Sequence, residues 1–380
     1  MRRTRWVIVG LFATIAARGL AGTLPQPERT VRVTPDVVYR IYRLSAPRAV
    51  VHVLEVSLKG TVELAAVKPG IRLTSCAPLS EMLKAAGQRV IAGVNGDFFS
   101  EAGAPIGPHV CDGDVVKSGP TRPVIGMTSS GEIFLTVDRL QADVQFPRGE
   151  VMQVSGFNRA RSTDELIVFN RWFGRTTRTN RWGVEVTLAA LVSPQGSGPL
   201  LTVVTRVDTV GNSIIPPGGM VLSGHGRAGQ ALRQACRVQD TLRLSVALSS
   251  AKGTVRWLVS GGPLLLREGR VAFEEIASWG NGGFALGRHP RTAAGLSADR
   301  STAYLVTVDG RQPGYSEGMS LVELAEFLVD LGAFLAINFD GGGSTTMVIQ
   351  GKVVNRPAGD GQERPVSNAL VVRYKAWEEP

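Results

Sequence analysis

This sequence predicts a strand-rich α+β fold with mixed sheets and a few packed helices, and three observations carry that expectation. Alternating and continuous apolar runs of strand length recur from Val37 onward. Helical periodicity is confined to short stretches, chiefly residues 77–87 and 320–332. The 45 Gly and 21 Pro are spread among apolar runs, which favours a turn-rich globule over disorder. A chain of 380 residues can bury a large core, as one big domain or two closely packed ones.

The first 21 residues read as a signal peptide. Arg2, Arg3 and Arg5 precede an apolar stretch over residues 6–17, and small residues lead to Ala21. The apolar stretch is too short for a membrane span, so a secreted, periplasmic or cell-envelope protein starting near Gly22 is expected, with no transmembrane domain after cleavage. The formal charge is +10; Arg2, Arg3, Arg5 and Arg18 are lost with the leader, no acid precedes Glu28, and +6 remains. The basic residues are scattered rather than striped, which argues against nucleic acid as a partner. Cys76, Cys111 and Cys236 make an odd count, compatible with one disulfide and a free thiol. With four His and no Cys-x-x-Cys, a zinc site is not expected. No cofactor is expected, and calcium stays open as a hard cation for an oxygen-rich loop.

Residues 22–88 form a β-rich segment with one helix. "VVYRIYRL" alternates, and "AVVHVLEVSL" leads through "KGTVELAAV" as a hairpin. In "APLSEMLKAAG", Pro78 suits a first helical turn and Gly87 a stop. The buried strand "RVIAGV" follows and ends in "NGDFF". A single domain is expected over residues 89–380, with a middle section of short strands and long loops at about 141–255. Near its end the same grammar returns. Ser320 and Glu323 have capping-box spacing, Gly332 closes the helix, and the strand "AFLAI" ends in "NFDGGGS". By analogy with open parallel sheets, strand C-termini of this kind are where ligands bind. A second echo links "GPHVCDGDVV" and "RPVIGMTSSGEIFLTVD" to "GPLLLREGRV" and "RTAAGLSADRSTAYLVTVD", the pattern of an internal duplication of a β-hairpin unit.

The glycine run is the focus of the candidate chemistry. Asp340 leaves a buried strand, where a carboxylate needs a partner or a purpose. Gly341, Gly342 and Gly343 allow backbone N–H groups to converge on an anion or sugar oxygen, and Ser344 adds a hydroxyl. On the matching edge, Asn95 can donate and accept at once, and Phe98 and Phe99 offer sugar-stacking walls. Asp97 fits a sugar contact and an Asn-Gly-Asp turn equally well. Arg291, followed by Thr292, offers a planar fork for phosphate. Asp309 sits at the end of the strand paired in that hairpin. "GGGST" lacks the Gly-Lys-Ser/Thr of a phosphate-binding loop, and "SGHGRAG" lacks the spacing of a dinucleotide site.

Together "VNGDFF", "VSGGPLLLREGRV", "RTAAGLSADRSTAYLVTVDG", "NFDGGGSTTMVIQGKVVN" and "ERPVSNALVV" resemble the phosphodiester glycosidase family, from about Val90 to the C-terminus. The resemblance implies a hydrolase that frees a sugar from a sugar-1-phosphodiester, such as an N-acetylglucosamine-1-phosphodiester. It carries weight onto Asn95, Phe98, Phe99, Arg291, Thr292, Asp309, Asp340, Gly341, Gly342, Gly343 and Ser344. Asp97 stands where a lysosomal member of the family has a small residue, and that member's cysteine-rich tail has no counterpart here, so a bacterial chain acting on an envelope or extracellular glycopolymer is expected. Asp340 would serve as nucleophile or base, Arg291 would hold the phosphate, and Asn95 and Asp309 would orient the sugar. Two alternatives stand beside this reading: a non-catalytic glycan-binding envelope protein, and a glycosidase of ordinary glycosides with Asp340 and Asp309 as its acid–base pair.

Overall fold

A computed structural model describes residues 24–191, 199–249, 253–279 and 282–376; the expected signal peptide lies outside the described residues. The chain builds strand-rich sheets with few helices, and its centre is a helix–sheet–sheet–helix sandwich.

The larger sheet of the sandwich has eight antiparallel strands. In spatial order they are Arg29–Thr34, Val37–Ser45, Arg48–Ser57, Thr302–Val308, Arg291–Leu296, Leu335–Asn338, Leu264–Arg267 and Arg270–Val271. The Arg48–Ser57 strand lies inside the sheet and is covered on both faces, which is why its sequence is almost continuously apolar. The outer face of this sheet is closed by the helix Leu321–Asp330. Ser320 and Glu323 there satisfy each other's backbone N–H groups, and Leu321, Leu324 and Leu328 are fully buried. Each such leucine stabilises the layer by about 1.5–3 kcal/mol.

The facing sheet has five antiparallel strands in the order Lys352–Val353, Met347–Ile349, Val90–Asn95, Ala369–Tyr374 and Val62–Val67. The helix Leu79–Ala85 closes its far side. Gly87 ends that helix at φ +98°, a conformation that favours glycine. Strands from residues 24–88 contribute to both sheets of the sandwich, pairing with Thr302–Val308 and Ala369–Tyr374.

The section expected as short strands and loops is largely one eight-stranded sheet, running from Leu140–Gln145 to Thr241–Leu248. It packs on a further five-stranded sheet that contains His109–Cys111 and Val255–Ser260. The two echoed segments share a topology. In each, two hairpins bracket one antiparallel strand, Val255–Ser260 in the first and Leu335–Asn338 in the second. All three cysteines are free, and Cys111 lies 3.2 Å from His109.

The strands ending in Asn95 and Asn338 belong to antiparallel sheets, so the rule for open parallel sheets does not apply. Their ends meet because the two sheets of the sandwich pack face to face.

Candidate active site

Asn95 and Asp340 join the two sheets. Asn95 is buried; its Nδ2 donates to the Asp340 carbonyl at 2.6 Å, and its Oδ1 accepts from Thr292 Oγ1 at 2.7 Å and from the Thr346 N–H at 3.1 Å. The Asp340 N–H in turn donates to the Gly96 carbonyl at 3.0 Å. Both ends of the Asn95 amide are thus spent on holding strands together, and Thr292 is buried beneath them.

The glycine run has specific steric reasons. A Cβ on Gly341 would lie 2.6 Å from the Pro290 carbonyl oxygen, so only glycine permits that approach. Gly342 has φ +60° and faces the Arg311 guanidinium. Gly343 meets only ordinary contacts with Arg364. The amides do not all converge outward: Gly342 donates to Pro290 at 2.9 Å, Ser344 to Gly341 at 3.1 Å and Thr345 to Gly342 at 3.2 Å.

This turn presents the Asp340 side chain to a cavity of about 610 Å³. Phe98, Phe99, Cys76 and Arg364 are among its walls. Asp340 Oδ2 accepts from Ser344 Oγ at 2.6 Å and from Arg364 Nη2 at 3.1 Å. Arg364 also bonds Ser344 and lies 5.3 Å over the Phe99 ring. Burial pushes the Asp340 carboxyl above its ordinary value, against the opposing pull of Ser344 and Arg364. A carboxylate this sheltered yet open on one side suits proton transfer or attack.

Arg291, Asp309 and Asp97 lie around that cavity rather than in its lining. Arg291 is 2% exposed, and its Nε and Nη2 donate to the carbonyls of Met319, Phe284 and Gly287 at 2.9, 2.6 and 2.8 Å. Burial lowers its pKa to about 10, with Arg311 adding to the effect. Asp309 is buried 1% exposed and takes donors on both oxygens: His52 at 3.2 Å, Tyr315 at 3.0 Å, Asn355 at 3.1 Å and the Arg356 N–H. It reaches the glycine turn through Asn355, which donates to the Thr345 carbonyl at 3.1 Å. Asp97 is also buried, and its Oδ2 accepts from Ser260 at 2.5 Å and the Gly107 N–H at 2.8 Å. Phe98 belongs to an aromatic cluster with Trp279 and Phe284.

Sequence reasoning missed Arg364, Arg311, Arg122 and Trp279. Arg364 stands inside the quoted motif "ERPVSNALVV", yet nothing local distinguishes it from a solvated arginine. Among the described residues no group of three or more His, Cys, Asp or Glu side chains could hold a metal ion, and no helix is long and apolar enough to cross a membrane.

Residues 189–373 match the family model described as phosphodiester glycosidase, a span that holds Arg291, Asp309, Asp340 and Arg364 but not Asn95. N-acetylglucosamine-1-phosphodiester α-N-acetylglucosaminidase of Bos taurus is 34% identical over 151 residues, 38% of this chain and 28% of that protein. An SPbeta prophage-derived uncharacterized protein of Bacillus subtilis (strain 168) is 26% identical over 164 residues, 41% of this chain and 24% of that protein. The matched region therefore spans about a quarter of the length of these two relatives. Among solved structures, a Burkholderia pseudomallei K96243 protein named as one expected to be exported aligns with TM-score 0.62 and 26% identity, over 86% of this chain and 74% of that one. A hypothetical protein from Synechocystis shares the fold with TM-score 0.69 and 19% identity, over 91% of this chain and 64% of that one. Through residues 189–373, just under half of its length, the chain is similar to the phosphodiester glycosidase family.

Proposed function

We propose that this chain is a hydrolase that cleaves the glycosidic bond of a sugar-1-phosphodiester of the N-acetylglucosamine type. It acts outside the cytoplasm on an envelope or extracellular glycopolymer. The observation that carries the reading is the pairing of Asp340 with Arg364 at the wall of a sugar-sized cavity. Glycosidic cleavage builds positive charge at the anomeric carbon while the phosphate departs with the bonding electrons. Asp340, ionised, meets the first charge by attacking that carbon or by taking a proton from the attacking water. The bonds from Ser344 and Arg364 engage its Oδ2 and leave Oδ1 for that task. Arg364, half-exposed, and Arg311, exposed beside Gly342, suit the phosphate. A phosphodiester is a weak base, so charge stabilisation matters more than a strong proton donor.

Arg291, Asp309 and Asn95 take positioning roles in this scheme. Arg291 braces the loop that carries Phe284, Asp309 backs the glycine turn, and Asn95 fixes the Asp340 backbone. The basic, then apolar, N-terminus and the likeness to a protein expected to be exported support an extracytoplasmic site.

The test is release of free sugar from three substrates: a sugar-1-phosphodiester, a nitrophenyl glycoside and a cell-wall polymer. Turnover that favours the phosphodiester supports the proposal. Cleavage of the nitrophenyl glycoside alone would assign ordinary glycosidase activity, and binding without any cleavage would make the chain a glycan-binding protein.

A further inference from the structure

The middle of the chain carries a charged loop that the scheme above does not use. Residues 170–183 read "NRWFGRTTRTNRWG", with Arg175, Arg178 and Arg181 at every third position and no acid. All three are exposed, and none forms an ion pair among the described residues. Arg171, by contrast, pairs with Asp114 at 2.7 Å. The loop lies over the sheet face that carries Ile167, Phe169 and Val221, and a buried carboxylate fixes it there. Glu185 accepts from Thr177 at 3.0 Å, Thr179 at 2.7 Å, Ser223 at 2.6 Å and the Ser213 N–H at 2.8 Å. Its oxygens are spent on neutral donors rather than on the loop's arginines. With both threonines turned to Glu185, Arg178 between them meets solvent.

Aromatic rings stand among these charges. The guanidinium groups of Arg178 and Arg181 lie 5.9 and 4.7 Å from the ring centres of Phe173 and Trp182. A ring steadies a guanidinium without cancelling its charge. Trp182 is exposed. The loop also joins the rim of the Asp340 cavity. The Leu73 N–H donates to the Trp172 carbonyl at 2.7 Å, and Thr74 and Cys76 just beyond line that cavity. On the other side of Leu73, Arg72 is exposed and likewise forms no ion pair among the described residues.

We propose that Arg72, Arg175, Arg178 and Arg181, with Trp182, form an exosite for a phosphate-bearing polysaccharide, separate from the catalytic cavity. The guanidinium forks take phosphate oxygens along the polymer, and the Trp182 ring lies against a sugar face between them. Charge complementarity selects this partner, since four cations without carboxylates repel a basic surface. The apolar side chains are single residues set among charges, unlike the continuous apolar centre of a protein interface. None of the five residues lines the cavity. A ligand confined to the cavity therefore gains nothing from them, whereas a polymer that extends past Thr74 does. The assignment rests on the proposed function only in taking phosphate as the anion.

Calorimetric titration of the chain with a phosphodiester-bearing mannan, the same mannan stripped of phosphate, and single-stranded DNA tests it. The phosphorylated mannan should bind about tenfold or more tightly than either of the others, and rising salt should weaken it. Combining Arg175→Gln, Arg178→Gln and Arg181→Gln should cost about tenfold or more in that affinity, and Trp182→Ala about fivefold. Both variants change exposed side chains and should turn over a small sugar-1-phosphodiester as the parent does. Affinity retained by the triple variant overturns the proposal, as does equal binding of the two mannans. DNA bound as tightly as the phosphorylated mannan also overturns it and makes the loop a nucleic-acid surface. Binding decides the exosite and turnover decides the proposed function. Mannan held through these arginines without any turnover keeps the exosite and ends that reading, whereas turnover without mannan preference does the reverse.

Discussion

Asn95 Nδ2 donates to the backbone carbonyl of Asp340 at 2.6 Å, so a side chain from one sheet fixes the main chain leaving the other. Asn95→Ala should cost about 3 kcal/mol, because the Thr292 hydroxyl and the Thr346 N–H lose their acceptor in a buried place. Denaturant unfolding measures this. A change below about 0.5 kcal/mol would show that the sheets hold together without the clamp.

Asp340→Asn should fold and bind substrate while losing turnover about 10²–10⁴-fold or more. Its carboxyl titrates above the ordinary range because burial outweighs Ser344 and Arg364. Activity that needs the ionised form is therefore full above that raised pKa and falls as pH drops through it. The sign for stability is opposite: a raised carboxyl pKa favours the folded state most below the unfolded pKa and loses that benefit as pH rises. Asp340→Asn should therefore gain stability over the parent at neutral pH, and the gain should vanish in acid. A fully active Asp340→Asn protein would end the catalytic reading.

Arg364→Lys keeps a charge but loses the fork, so it should raise KM for phosphodiesters by about tenfold and spare neutral glycosides. Arg291→Lys should behave differently. Its three carbonyl bonds brace a buried loop, and their loss should appear mainly as destabilisation of about 2–4 kcal/mol. Comparing KM with the unfolding midpoint for both variants distinguishes a substrate contact from a brace.

Lys68 is buried among neutral acceptors, the carbonyls of Ser75 and Ser367 and the Ser367 hydroxyl, and burial pulls its pKa down to about 8. The unfolded chain binds more protons between that value and the usual 10.5, so this residue makes stability rise with pH across the window. The increment is about 3 kcal/mol when integrated. Lys68→Met should flatten that rise, as urea unfolding at pH 7.5 and 10 would show.

Exhaustive chelation should leave activity intact, since Arg364 and Arg311 can supply the positive charge at the glycine turn. Turnover abolished by chelator and restored by calcium would instead assign a hard cation to the oxygens around Asp340.

Local signals in the sequence determined much of this protein. The capping box at Ser320 and Glu323, the Gly87 stop and the apolar run of Arg48–Ser57 follow from backbone and burial rules that act within a few residues. The pairing of "NGDFF" with "NFDGGG" was also legible, because two buried strands ending in polar groups need a reason. Tertiary structure decided what those groups do. Whether an arginine meets solvent, carbonyls or a carboxylate depends on chain that is distant in sequence. Arg291 and Arg364 look alike in a one-dimensional string, yet packing buries the first against three carbonyls and leaves the second beside Asp340. Asp309 likewise becomes a saturated hub only because His52, Tyr315 and Asn355 arrive from three separate segments. Hydrogen-bond partners far apart in sequence are set by folding geometry, and local spacing along the chain carries no record of them.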